Sequence, residues 1–167
     1  HKDGSGRTYP GPLGVLGVFV VQFWSPDMKA VRNGSYWQLR LMPGEEIVET
    51  LAGFVRRQRI KSGFLTGIGA ADDIVLGCFD LRARAYHKRL FKGDSEVAAI
   101  VGNVGWLKQE PACHIHAVIS RPNLTTFAGH LFSGIVTVTL EVALVPGTRR
   151  LERKPDPLSG LNLLALP

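Results

Sequence analysis

The sequence predicts an α+β domain in which one principal helix lies on a mainly antiparallel, strongly bent or barrel-like sheet. Three observations carry this. Apolar residues recur at helical spacing in one segment, after Pro43-Gly44-Glu45-Glu46. From Ser62 onward the period changes to that of strands, with about eight short runs interrupted by turn residues. The 167 residues include 19 glycines and 10 prolines, the punctuation that many short strands need. A composition of 45% hydrophobic and 20% charged residues is that of a globular domain with a real core, not of a disordered chain.

Taken in order, residues 1–34 read as an N-terminal extension and residues 35–167 as a single domain, with no internal repeat or linker. The apolar run Leu13–Trp24 is too short to span a bilayer, which takes roughly 20 residues. No convincing small-residue cleavage site follows it, so it reads as a buried strand or as an arm packed on a neighbouring subunit. No membrane association and a cytoplasmic location are expected. Tyr36–Met42 alternates as a strand. Pro43-Gly44-Glu45-Glu46 then opens a helix of about 14 residues, its acids facing the positive end of the dipole. Ile47, Val48, Leu51, Phe54 and Val55 form its apolar stripe, and Arg56, Arg57 and Arg59 suit its C-terminal end.

Gly63–Ile68 and Ile74–Leu81 read as strands joined around residues 69–73, followed by strands at Ala83–Phe91 and Val97–Val104. Ile135–Val145, rich in β-branched residues, is the clearest strand. A last short strand is expected at Arg149–Lys154, with an irregular tail from Pro155. The two cysteines, Cys78 and Cys113, make a disulfide framework unexpected and read as buried small hydrophobes.

The chemistry concentrates between Pro111 and Leu131. His114 and His116 are two apart, so a strand points both imidazoles the same way. Ser120-Arg121-Pro122-Asn123 carries turn chemistry, and a returning strand would bring His130 beside them, with Gly129 allowing close backbone approach. Three neutral imidazoles converging on one point suit zinc or a similar divalent metal, with a fourth position open. The plainer alternative is a set of half-buried, hydrogen-bonded histidines.

The formal charge of +6 and pI near 9.7 allow DNA or another polyanion as a partner without selecting it. The basic clusters at 56–61, 82–92 and 149–154 are loose and read as solvated faces, and no Arg-Gly-Arg-Pro minor-groove hook is present. Arg121 at the hairpin turn could bind an anion, and His87 reads as a surface residue. Glu96, Glu110 and Glu141 are the acids or bases that metal chemistry would need.

Five segments together resemble the PPC (plant and prokaryote conserved) domain, also called the PD1-like DNA-binding domain. They are PGEEIVETL, SGFLTGIGAADDIVLGCFD, SEVAAIVGNV, HIHAV followed by AGHL, and ERKPDPLSGLNLL. The resemblance runs from about Tyr36 to Leu164. It implies an α+β fold that assembles as a homotrimer, and a metal held by His114, His116 and His130. The chain departs from the family in Ala128, where a glycine is usual, and in Ser95, where a phenylalanine is usual. Three functions are therefore in play: a metal-binding, self-associating module; a metal-dependent enzyme acting on a small carbonyl or carboxylate compound at the metal; and a DNA-binding protein.

Overall fold

The computed structural model describes residues 28–166. The Leu13–Trp24 run lies outside them. Seven strands form one mostly antiparallel, strongly bent sheet: β1 (Lys29–Asn33), β2 (Tyr36–Leu41), β3 (Ser62–Asp80), β4 (Ala85–Phe91), β5 (Ser95–Leu107), β6 (Glu110–Ser120) and β7 (Thr126–Gly147). The order is β1-β2-β7-β6-β5-β3-β4, and β3 also pairs with β7. Strands β3, β5, β6 and β7 thus form a ring of four. A separate two-stranded sheet, β8 (Arg153–Pro155) with β9 (Asn162–Leu164), occupies the tail.

Alternation decides which residues fill the ring. On β6, Ile115, Ala117 and Ile119 are buried, and the residues between them face the other way. Leu65, Ile100, Leu140 and Leu144 from the other ring strands join them in the core. The helix α1 (Ile47–Arg57) packs across β6 and β7, burying Ile47, Leu51, Phe54 and Val55. Trp37 of β2 meets Phe54 edge-on, with ring centroids 5.2 Å apart.

The helix is shorter than predicted, 11 residues, because its acidic opening has other work. Glu45 is buried, and its carboxylate accepts hydrogen bonds from the Met28 and Met42 backbone N–H groups at 3.1 and 2.7 Å. Glu46 is the N-cap. One of its oxygens accepts from the Glu49 N–H at 2.6 Å, the other from the Gly134 N–H of β7 at 3.1 Å. Burial pushes its carboxyl pKa up against those hydrogen bonds. Pro43 and Gly44, the latter at φ +89°, form the turn ahead of the helix.

Two predicted breaks are continuous strand. Residues 69–73 do not turn the chain; β3 runs through them, with register shifts where it pairs with β5 and β7. Its glycines serve strand crossing. A Cβ on Gly69 would stand 2.0 Å from the Thr139 carbonyl oxygen. Likewise the returning strand of the histidine hairpin and Ile135–Val145 are one strand, β7. The tail from Pro155 is not irregular, since β9 pairs back on β8, and β8 begins later than Arg149. β1, within residues 1–34, pairs along its whole length with β2. Cys78 is exposed, not buried, and Cys113 is half-buried, packed against the core.

Candidate metal centre

Strand β6 carries His114 and His116 on its outer face, opposite Ile115 and Ala117 in the core. Across β5 their register partners are Asn103 and Val101. The turn after Ser120 is closed by backbone hydrogen bonds between Arg121 and residues 124 and 125. The returning β7 then sets His130 opposite His116. A Cβ on Gly129 would come 2.8 Å from the Gly77 carbonyl oxygen, so this close approach of β7 to β3 needs glycine. Ala128 is exposed, and its methyl group meets no such constraint.

The three rings gather as the hairpin predicts. Their centroids lie 5.2 Å (His114–His116), 5.0 Å (His114–His130) and 5.6 Å (His116–His130) apart. One ring nitrogen from each falls within 4.8 Å of the others. Ligand nitrogens around a tetrahedral zinc stand about 3.4 Å apart, given Zn–N bonds near 2.05 Å, so small ring rotations close the set. His130 packs against Phe132 (4.6 Å) and Tyr86 (5.3 Å). Its Nδ1 is buried without a hydrogen-bond partner among the described residues. The plainer alternative, histidines satisfied by ordinary hydrogen bonds, therefore fails at His130.

Burial, reinforced by His114, His116, Lys88 and Arg153, pushes the His130 imidazole down to about 4. Burial, then Arg153 and His116, lowers His114 as well. Both rings are thus neutral at pH 7, the form that binds a metal. Burial pushes the Cys113 thiol up to about 11, so it stays protonated and outside the donor set. The residues fit a divalent cation: three converging imidazoles, two of them held neutral by burial, with one nitrogen unsatisfied.

The other expected residues lie elsewhere. Glu110 is exposed and paired with Arg56. Glu96 faces Ser120 in register, four residues along β6 from His116, about 13 Å at strand rise. Glu141 is exposed between Arg40 and Ile68. Arg121 is no free anion binder. It clamps the β4–β5 turn, donating to the Gly93 and Lys92 carbonyls at 2.7 Å and to Ser95 Oγ at 2.9 Å. His87 is a surface residue, 3.6 Å from the Asp80 carboxylate. Sequence reasoning missed Arg153, read there as one of a loose basic cluster. Its guanidinium reaches the edge of the triad and donates to Asn103 Oδ1. The only available signal was the ERKPDP segment among the family-like pieces.

The model of the Plants and Prokaryotes Conserved (PCC) domain matches residues 28–147. The chain belongs to this family. The match takes in β1, ahead of where the resemblance begins, and ends with β7. Among solved structures, a "putative DNA binding protein" of Bacteroides thetaiotaomicron is 27% identical, with TM-score 0.79 over 83% of this chain and 96% of that one. A PPC protein of Pyrococcus horikoshii is 27% identical, with TM-score 0.74 over 83% and 94%. A metal-containing protein of Archaeoglobus fulgidus is 28% identical, with TM-score 0.74 over 80% and 94%. Among curated proteins, the bifunctional protein GlmU of a Synechococcus strain is 27% identical over 159 residues. That covers 93% of this chain and 21% of the relative, so the chain spans about a fifth of the length of such relatives.

Proposed function

We propose that this PCC domain is a divalent-metal-binding module, with zinc as the metal and His114, His116 and His130 as its ligands. The convergence of three imidazoles within 4.8 Å carries the reading. The metal-containing Archaeoglobus relative supports it. Held by these three imidazoles, zinc would supply Lewis-acid chemistry, acidifying water or polarising a carbonyl. Elemental analysis of protein purified without chelator tests the proposal. One metal per chain is expected, lost in His114→Ala and His116→Ala; metal-free wild type that takes up none on dialysis overturns it.

The module is further read as a homotrimer in the cytoplasm. Support comes from the outer face of the ring, where Phe64, Ile68, Val101 and Val145 are about half exposed, with Val101 directly opposite His116. Light scattering should give three times the chain mass, and Phe64→Asp with Val101→Asp should give monomers. No helix among the described residues is long and apolar enough to cross a membrane. The metal-dependent enzyme remains the alternative, but none of Glu96, Glu110 and Glu141 lines the cavity beside the triad.

DNA binding is a second reading. It is favoured by the Bacteroides relative described as a "putative" DNA-binding protein and by the exposed Lys88 and Arg89 on the edge strand β4. Phosphate-driven binding must fall steeply with salt. Retention on DNA at low salt, lost between 50 and roughly 200 mM, is the expected result; no retention at low salt removes this reading.

A further inference from the structure

The cavity beside His114 and His130 carries a charge imbalance. It measures about 200 Å³ and is lined by His114, His130 and Arg153 together with Tyr86, Leu161 and Leu163. No carboxylate lines it. Arg153, on β8, donates through Nη2 to Asn103 Oδ1 and through Nη1 to the Asn162 carbonyl at 3.2 Å. Both acceptors are neutral. Its Nε is buried without a hydrogen-bond partner, and it makes no ion pair among the described residues. A second cation stands close by: Lys88 Nζ lies 3.7 Å from the centre of the Phe132 ring, which packs on His130.

A partly desolvated cation without a counterion is costly, and a divalent metal on the triad would add to the positive charge. An oxyanion answers all of these. The planar fork of a guanidinium matches a carboxylate in particular, with two parallel N–H donors. The apolar walls suit a short carbon body, and the volume falls below the roughly 300–1,000 Å³ typical of larger ligands.

We infer that this cavity is a binding site for small carboxylates, anchored by Arg153 and open to the metal on its histidine side. The inference rests on the reading of the triad as a metal centre, and its test separates the two. Butyrate, pyruvate and inorganic phosphate are titrated calorimetrically into the zinc-loaded and metal-stripped full chain. The carboxylates should bind the zinc-loaded protein. Arg153→Gln should weaken them at least tenfold, as should Asn103→Asp, which keeps the acceptor but gives the guanidinium an internal carboxylate. Zinc stoichiometry should be unchanged in both variants.

The near-isosteric Asn103→Asp keeps the test decisive if Arg153→Gln proves unstable by circular dichroism. Carboxylate binding unaffected by Asn103→Asp overturns the inference, as does phosphate binding more tightly than either acid. If zinc fails to bind but stripped protein still takes carboxylates in an Arg153-dependent way, the metal reading falls and the carboxylate site stands.

Discussion

Removing His130 should separate metal binding from ordinary packing. Its ring is half-buried between Tyr86 and Phe132, and its Nδ1 makes no hydrogen bond among the described residues. Without metal, His130→Ala therefore loses only ring packing, about 1–2 kcal/mol, with no partner left unsatisfied. With zinc present the two proteins diverge. A ligand at 100 times its Kd stabilises the fold by about 2.7 kcal/mol. For a chain of this size that raises Tm by about 5–11 °C. If losing one of three ligands weakens zinc about 100-fold, the same zinc concentration gives the variant only about 0.4 kcal/mol, or 1–2 °C. Thermal melts with and without zinc, and after chelator, measure both differences. A zinc-induced rise in the variant equal to that of the wild type would refute the triad as the site. A large loss of stability in the metal-free variant would show instead that His130 is a structural core residue.

Acid should destabilise the metal-free fold through the same ring. In the unfolded chain the imidazole takes its proton near pH 6.5, whereas burial first, and neighbouring charges second, hold the folded one down to about 4. Between those values the unfolded state carries more protons, so stability present above pH 6.5 is lost as pH falls toward 4. Urea melts at pH 7 and pH 4.5 should show a larger acid loss for wild type than for His130→Phe; equal losses would contradict the assignment. Gly69→Ala should prevent folding or cost more than about 4 kcal/mol, because its Cβ would meet the Thr139 carbonyl at 2.0 Å. Gly53→Ala should instead stabilise by up to about 1 kcal/mol, since it sits in the helix and meets only the mobile end of Arg57 at 3.3 Å. Denaturant midpoints of the two variants moving in the same direction would contradict this account of the two glycines.

What was legible in the sequence was local. The helix stripe fixed α1, and the two-residue spacing of His114 and His116 with the Ser-Arg-Pro-Asn turn fixed the hairpin that returns His130. What was not legible depended on pairing between distant strands. Gly69 looks like a turn residue in isolation, yet together with Gly67 it allows β3 to lie against both β5 and β7. The second acid of the helix opening, Glu46, proved to be a cap that also ties α1 to β7 through Gly134. Apart from its place in the ERKPDP segment, nothing in the sequence sets Arg153 apart from Arg149 or Arg150. Only the tail hairpin, unpredicted, brings it to the triad.

The position of that hairpin follows from how the ring closes. His116 and His130 form the last pair of the β6–β7 ladder, for beyond His130 strand β7 leaves β6 to run along β3. The earlier part of β6, residues 110–115, is paired on one side only, with β5. Residues 161–163 line the cavity together with Ala112 and Cys113, while Gly105 of β5 takes the close approach of Leu151 and Leu164. The divergence of two strands therefore creates both features of the site. It leaves three imidazoles at the end of a ladder, with no further pair to cover them, and it opens the gap that the tail fills with a guanidinium. A metal at the triad would tie β6 to β7 where their backbone pairing stops, so its binding should protect the amides of residues 114–116 and 129–131 from hydrogen exchange more than those of the β1–β2 hairpin.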